Sequence, residues 1–215
     1  MSKRTRNEFP GAIYHVTARG NNGRKIFQSA EDRVRFLELL TVIAAKRGWV
    51  IHAYCLMGNH YHLLIETPEP DLAAGMRHLN GRYAVAFNAR RGRKEHLFGE
   101  RYHAELVQSD RHLLVAMRYI VQNPVVAGLC GHPGDWRWSS FPATVGEDQV
   151  PAFLDVETTL WFFGRDLERA RDQFRSFVGE GLPELASPSE LGQTSRARNA
   201  GAGTGADPPG PAGAS

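Results

Sequence analysis

Apolar and polar positions alternate along residues 12–19 (AIYHVTAR), as in a strand with one face against a core, and Gly20-Asn21-Asn22-Gly23 behind it signals a turn. Over residues 30–47 the apolar positions (Val34, Leu37, Leu40, Val42, Ile43) switch to helical spacing. Two β-rich runs follow, 49–57 and 60–66, separated by Gly58-Asn59, a pair able to take the positive φ angles of a tight hairpin. The pattern then predicts a second helix over 71–91, opening on Asp71, and a fourth strand over 102–108. Strand, helix, strand, strand, helix, strand is the split βαβ order of a ferredoxin-like α+β fold. Its helices cover one face of an antiparallel sheet and leave the other free, which is where a site can sit.

A third helix is predicted from Asp110 to about Asn123, where Pro124 disfavours continuation. Residues 136–163 are rich in Trp and Phe, and a last amphipathic helix near 166–178 places Leu167, Ala170, Phe174 and Phe177 on one side. These segments read as packing elements of one domain over 1–182 rather than as a second domain. From Pro183 onward Pro, Ser, Gly and Ala dominate, too few large apolar groups to offset the entropy of ordering. Residues 183–215 are therefore expected to be a disordered tail, dispensable for chemistry.

With 215 residues and 42% hydrophobic positions, the chain can close one sizeable core. The start of the sequence is charged and polar, and no apolar run approaches the ~20 residues of a membrane span, so a soluble, cytoplasmic protein with no membrane partner is expected. Two cysteines, Cys55 and Cys130, give no disulfide framework. The net charge of +3 is modest but uneven: Lys3, Arg4, Arg6, Arg19, Arg24 and Lys25 face one acid, Glu8, and Arg90, Arg91, Arg93 and Lys94 gather at a predicted helix end. Such clusters favour a polyanion through counterion release, although charge alone fits an ordinary solvated surface equally well.

In the strand HYHLLI, His60 and His62 are two residues apart, so both imidazoles leave the same face. Paired imidazoles on a rigid strand form half of a site for a divalent ion, and equally fit two partly buried histidines held by hydrogen bonds. On the third helix, Leu113, Leu114, Met117, Ile120 and Val121 mark the core stripe. At about 100° per residue, Tyr119 falls opposite that stripe, in line with Asn123 and roughly with His112. Tyr119 is thus either an exposed tyrosine or a functional one. Tyr83, beside Arg82, is a reserve candidate, and Tyr61 faces away from the histidines.

Over residues 9–145 the sequence resembles the single-tyrosine HUH transposases, in particular the REP-associated tyrosine transposases and their insertion-sequence relatives. The resemblance rests on FPGAIYHVTARGNNGRKIF, MGNHYHLLI, HLFGERYHAELV, YIVQNPVVAGL and WRWSS, in that order. It implies an HUH nuclease fold with Tyr119 as nucleophile and one Mg²⁺ or Mn²⁺ held by His60, His62 and Asn123. The chain departs from its relatives in having Met57-Gly58 where many have proline, and Asn123 where insertion-sequence members tend to have Gln.

The resemblance further implies attack of Tyr119 on single-stranded or hairpin DNA, giving a 5′-phosphotyrosine and a free 3′-hydroxyl that can rejoin strands. Candidate DNA contacts are Arg19, Arg24, Lys25, Arg90, Arg91 and Arg101. Monomer and homodimer both remain open. The rival reading is a repeat-DNA-binding module that does not cut, stabilised by zinc on His60, His62 and Cys55, with Cys55 across the hairpin from His62.

Overall fold

The structure, a computed structural model, describes residues 8–180. The basic residues Lys3, Arg4 and Arg6 and the expected tail over 183–215 lie outside the described residues. Strand β1 (Ala12–Arg19) is followed by α1 (Ala30–Arg47), β2 (Val50–Leu56), β3 (His60–Thr67), α2 (Leu72–Arg91) and β4 (His103–Leu106). The four strands form one sheet in the order β2-β3-β1-β4, and every neighbouring pair is antiparallel. Helices on an antiparallel sheet in this order make the α+β, ferredoxin-like arrangement that the sequence predicts.

Local signals account for the helix ends. Ser29 and Asp32 form a capping box at the start of α1, and Gly48, at φ 65°, closes its other end in the left-handed region. Gly92 does the same for α2 at φ 59°. Asp32 is fully buried and accepts from the backbone N–H of Gln28 (2.8 Å) and Ser29 (3.1 Å).

Alternation along the strands sorts side chains to two faces. Tyr14, Val16 and Ala18 of β1, with Tyr61, Leu63 and Ile65 of β3, join the main core under α1 and α2. The other face departs from the expectation that it is free. Helix α3 (Asp110–Val126) packs Leu113, Ala116, Met117 and Ile120 against Ala53, Cys55, Met57 and Leu64, covering the β2 and β3 side. The β1 and β4 side of that face is left as an open cleft.

Two other expectations are corrected. Pro124 lies inside α3, which runs on to Val126. The proline falls in the last turn, so its missing N–H removes one helical hydrogen bond with little helix left to kink, and its own carbonyl still accepts from Leu129 N (2.9 Å). The Gly58-Asn59 turn does join β2 to β3, with Met57 N donating to His60 O at 3.0 Å, but neither residue has a positive φ. Instead, Gly58 O accepts from Ile26 N and Phe27 N, both at 3.0 Å, and Asn59 O from Gly20 N at 2.8 Å. The 20–27 segment thus sets the turn's carbonyl directions.

After α3 come α4 (Phe141–Thr144), α5 (Val156–Trp161) and α6 (Leu167–Gly179). Phe141, Leu160, Phe174 and Val178 join the main core together with Val121 of α3. Among the described residues no helix is long and apolar enough to cross a membrane.

Candidate active site

A cavity of about 320 Å³ opens where α3 stops covering the sheet. His60 and His62 reach it from β3, His15, Thr17 and Arg19 from β1, His103 and Glu105 from β4, and Tyr119 and Asn123 from α3. Strand register explains the convergence: Thr17 pairs with His62 on one side and His103 on the other, and Arg19 pairs with His60. Residues facing one another across antiparallel strands share a face.

The sequence-predicted set comes together. The His60 and His62 rings lie 5.0 Å apart between centroids, and the Tyr119 ring stands edge-on to His62 at 5.6 Å. Asn123 Nδ2 donates to Tyr119 O (2.8 Å), and the same side chain also reaches His62. Tyr119 does not lie opposite the packed side of α3, as the periodicity predicts. Ala116 packs on the sheet whereas Leu114 is half-buried, so the real stripe is rotated toward Tyr119, Asn123 and His112. At about 100° per residue this puts Tyr119 on the flank of the sheet-facing surface, over the cleft.

His15 is a site residue that the sequence reading missed. It is 5% exposed, its Nε2 lies 2.9 Å from His62 Nδ1, and its ring is 5.8 Å from that of Tyr119. The available signal was its place on β1 in phase with Thr17 and Arg19. Asn59 is another, its Oδ1 2.7 Å from His60 Nδ1 and its Nδ2 donating to Gly23 O at 3.2 Å.

Burial, helped by His103 and His112, lowers the His15 pKa to about 4. Burial also holds His62 well below 6.5, aided by His15 and His60, with the Asn123 side chain acting the other way. His60 is lowered by burial and then by Arg19. Desolvation disfavours the imidazolium, so near neutral pH these rings keep the lone pairs that a metal requires. His62 Nε2 is buried with no well-formed hydrogen bond, and Nδ1 of each histidine is already engaged. Two ring nitrogens and an amide side chain on one face are groups of the kind that ligate a divalent ion.

The zinc alternative loses its third ligand. Cys55 does pair with His62 across the hairpin, but it is fully buried, its Sγ lies 3.6 Å from Met57 Sδ, and burial pushes its pKa up. Among the described residues no three or more His, Cys, Asp or Glu side chains are grouped so as to hold a metal. Tyr83 is ruled out as a reserve nucleophile: it is fully buried on the far side of the sheet and donates to Ile26 O at 2.6 Å. Tyr61 faces away from the histidines as expected, bonded to Asn80 at 2.6 Å.

The basic candidates separate. Arg19 and Arg101 line a second hollow of about 430 Å³ that shares Thr17, Ala18, Arg19 and His103 with the first. Arg24 and Lys25 are exposed on the loop after β1, Arg24 paired with Glu95 at 2.5 Å. Arg90 and Arg91 are instead held on the buried carboxylate of Asp32, Arg91 by bonds of 2.5 and 3.0 Å, with its guanidinium 4.1 Å from the Phe87 ring.

The sequence model for IS200-like transposases matches residues 9–123, the span that carries the sheet, the histidines, Tyr119 and Asn123. The chain belongs to this family. A curated Haemophilus influenzae protein assigned by name to the REP-associated tyrosine transposases is 27% identical to this IS200-like family member over 110 residues, 46% of this chain and 62% of the relative. The chain thus spans about three fifths of the length of that relative. The solved structure of a REP-associated tyrosine transposase bound to a REP hairpin superposes with a TM-score of 0.58 at 20% identity, covering 71% of this chain and 90% of the other. That likeness establishes a shared fold.

Proposed function

We propose that this IS200-like family member is a transposase that cuts and rejoins single-stranded DNA at hairpins, with Tyr119 as nucleophile. The observation that carries the reading is the Tyr119 ring standing over His62 and His15 in an open cleft, with Asn123 one turn along the same helix. His60, His62 and Asn123 would hold Mg²⁺ or Mn²⁺, which when bound draws charge from a phosphate oxygen.

Tyr119 Oη gives up its proton and forms a bond to phosphorus as the P–O3′ bond breaks, and the departing 3′ oxygen takes up a proton, leaving a 5′-phosphotyrosine and a 3′-hydroxyl. Attack by another 3′-hydroxyl reverses the step and joins new strands, so no nucleotide cofactor is consumed. A free phenol, with a pKa of about 10, is a weak nucleophile, so holding it in line against a polarised phosphate supplies much of the acceleration. Arg19 and Arg101 line the neighbouring hollow and would neutralise the backbone of a strand leaving the cleft. Hairpin DNA as the substrate is consistent with the hairpin bound by the solved relative.

The test is incubation of the protein and its Tyr119→Phe variant with labelled hairpin DNA and Mn²⁺, read on a denaturing gel. A covalent protein–DNA band is expected from the wild type and none from the variant, since the attacking oxygen is gone. Equal cleavage by the Phe variant would reject Tyr119 as nucleophile. DNA bound by the wild type but never cut would favour the non-catalytic reading.

A further inference from the structure

We propose that His15 is a positioning residue for the candidate metal site: its Nε2 accepts the Nδ1–H of His62, fixing the tautomer in which His62 Nε2 is free to bind. The inference rests on the nuclease reading above and deepens it. His15 and His62 approach at 2.9 Å with ring planes 24° apart, and both are 5% exposed, so no solvent competes for the bond. His62 can present Nε2 as a ligand only if its proton sits on Nδ1, and a ring nitrogen must then accept that proton.

His60 has the same arrangement from a different source, with Asn59 Oδ1 at 2.7 Å from its Nδ1. Both histidines therefore have Nδ1 occupied and Nε2 left over, although the partners come from different segments. His15 also stands edge-on to Tyr119, so one side chain orients a ligand and flanks the proposed nucleophile. A histidine that merely filled space would place no acceptor at this nitrogen.

The experiment compares Mn²⁺ affinity, by electron paramagnetic resonance, of the full-length wild type, His15→Gln and His15→Phe. Gln can place an oxygen near the Nε2 position, whereas Phe keeps the ring and offers no acceptor. Loss of such an outer-shell partner typically weakens metal binding 10–100-fold, so a drop of about that size is expected for Phe and near wild-type affinity for Gln. Thermal melts of the metal-free proteins check that the variants fold. Independently of any substitution, ring ¹⁵N NMR of the wild type with saturating Mg²⁺ should show the His62 proton on Nδ1. A Phe variant that binds Mn²⁺ as tightly as wild type, a Gln variant as weak as Phe, or a proton found on Nε2 overturns the proposal while the nuclease reading stands. A wild type that binds no Mn²⁺, with or without hairpin DNA, overturns both.

Discussion

At the scale of single residues, burial keeps the imidazoles of His15, His60 and His62 neutral, with a consequence for stability. The folded-state pKa of His15 is about 4 against 6.5 for the free side chain, with burial the main cause. Because the folded value is depressed, the unfolded chain binds more protons between these limits. The contribution of His15 is thus present above pH 6.5 and is lost as pH falls toward 4, by up to about 3 kcal/mol. Urea denaturation of the metal-free protein between pH 7 and pH 4 should show stability falling more steeply for wild type than for His15→Gln. Parallel curves would mean that His15 does not titrate with folding.

At the scale of elements, the clearest coupling joins the start of α1 to the end of α2 through Asp32, Arg90 and Arg91. Asp32 is fully buried whereas Arg91 is 21% and Arg90 39% exposed at the side chain, so the carboxylate bears most of the desolvation. Replacing one partner of a buried pair leaves an uncompensated group, and Asp32→Asn is expected to cost about 2–4 kcal/mol in chemical denaturation. Arg91→Ala should cost less, since Arg90 remains. It should also leave the salt dependence of hairpin binding unchanged, whereas Arg19→Ala should lower the log–log slope by about 1. A slope lowered by Arg91→Ala would return that residue to the DNA interface.

Element order, both principal helices and the facing of His60 and His62 were legible in the sequence because period-2 and period-3.6 patterns are local. Less legible was what depends on partners distant in sequence. Arg90 and Arg91 read as a basic patch because Asp32, 58 positions before Arg90, gives no local sign of its burial. The face of α3 was misjudged because Ala116 is fully buried against the sheet and Leu114 only half-buried at the edge of the same cluster, a difference set by the sheet rather than by the helix pattern. His15 went unnoticed because one histidine in a strand has no local signature until the register sets it beside His62.

At the scale of the whole molecule, α3 is held from two sides, and the family match covers one of them. The match ends at residue 123, yet the back of α3 rests on α6: Arg118 donates to Phe177 O at 3.1 Å and stacks on the Phe177 ring at 4.4 Å. Phe174, 2% exposed, packs near Phe141 at 6.0 Å and Phe163 at 5.4 Å, tying α6 to the segment after α3. Truncating a buried phenylalanine costs about 3–5 kcal/mol, because the cavity is only partly refilled. Phe174→Ala should therefore destabilise the protein by that order while touching no group in the cleft. If α6 braces α3, the variant should also lose covalent adduct formation at temperatures well below its melting point, since a shift of about 1 Å in a reacting group can cost 10²-fold. Adduct formation that persists until global unfolding would instead make α6 a stabilising appendage, with Tyr119 positioned by the sheet side of α3 alone.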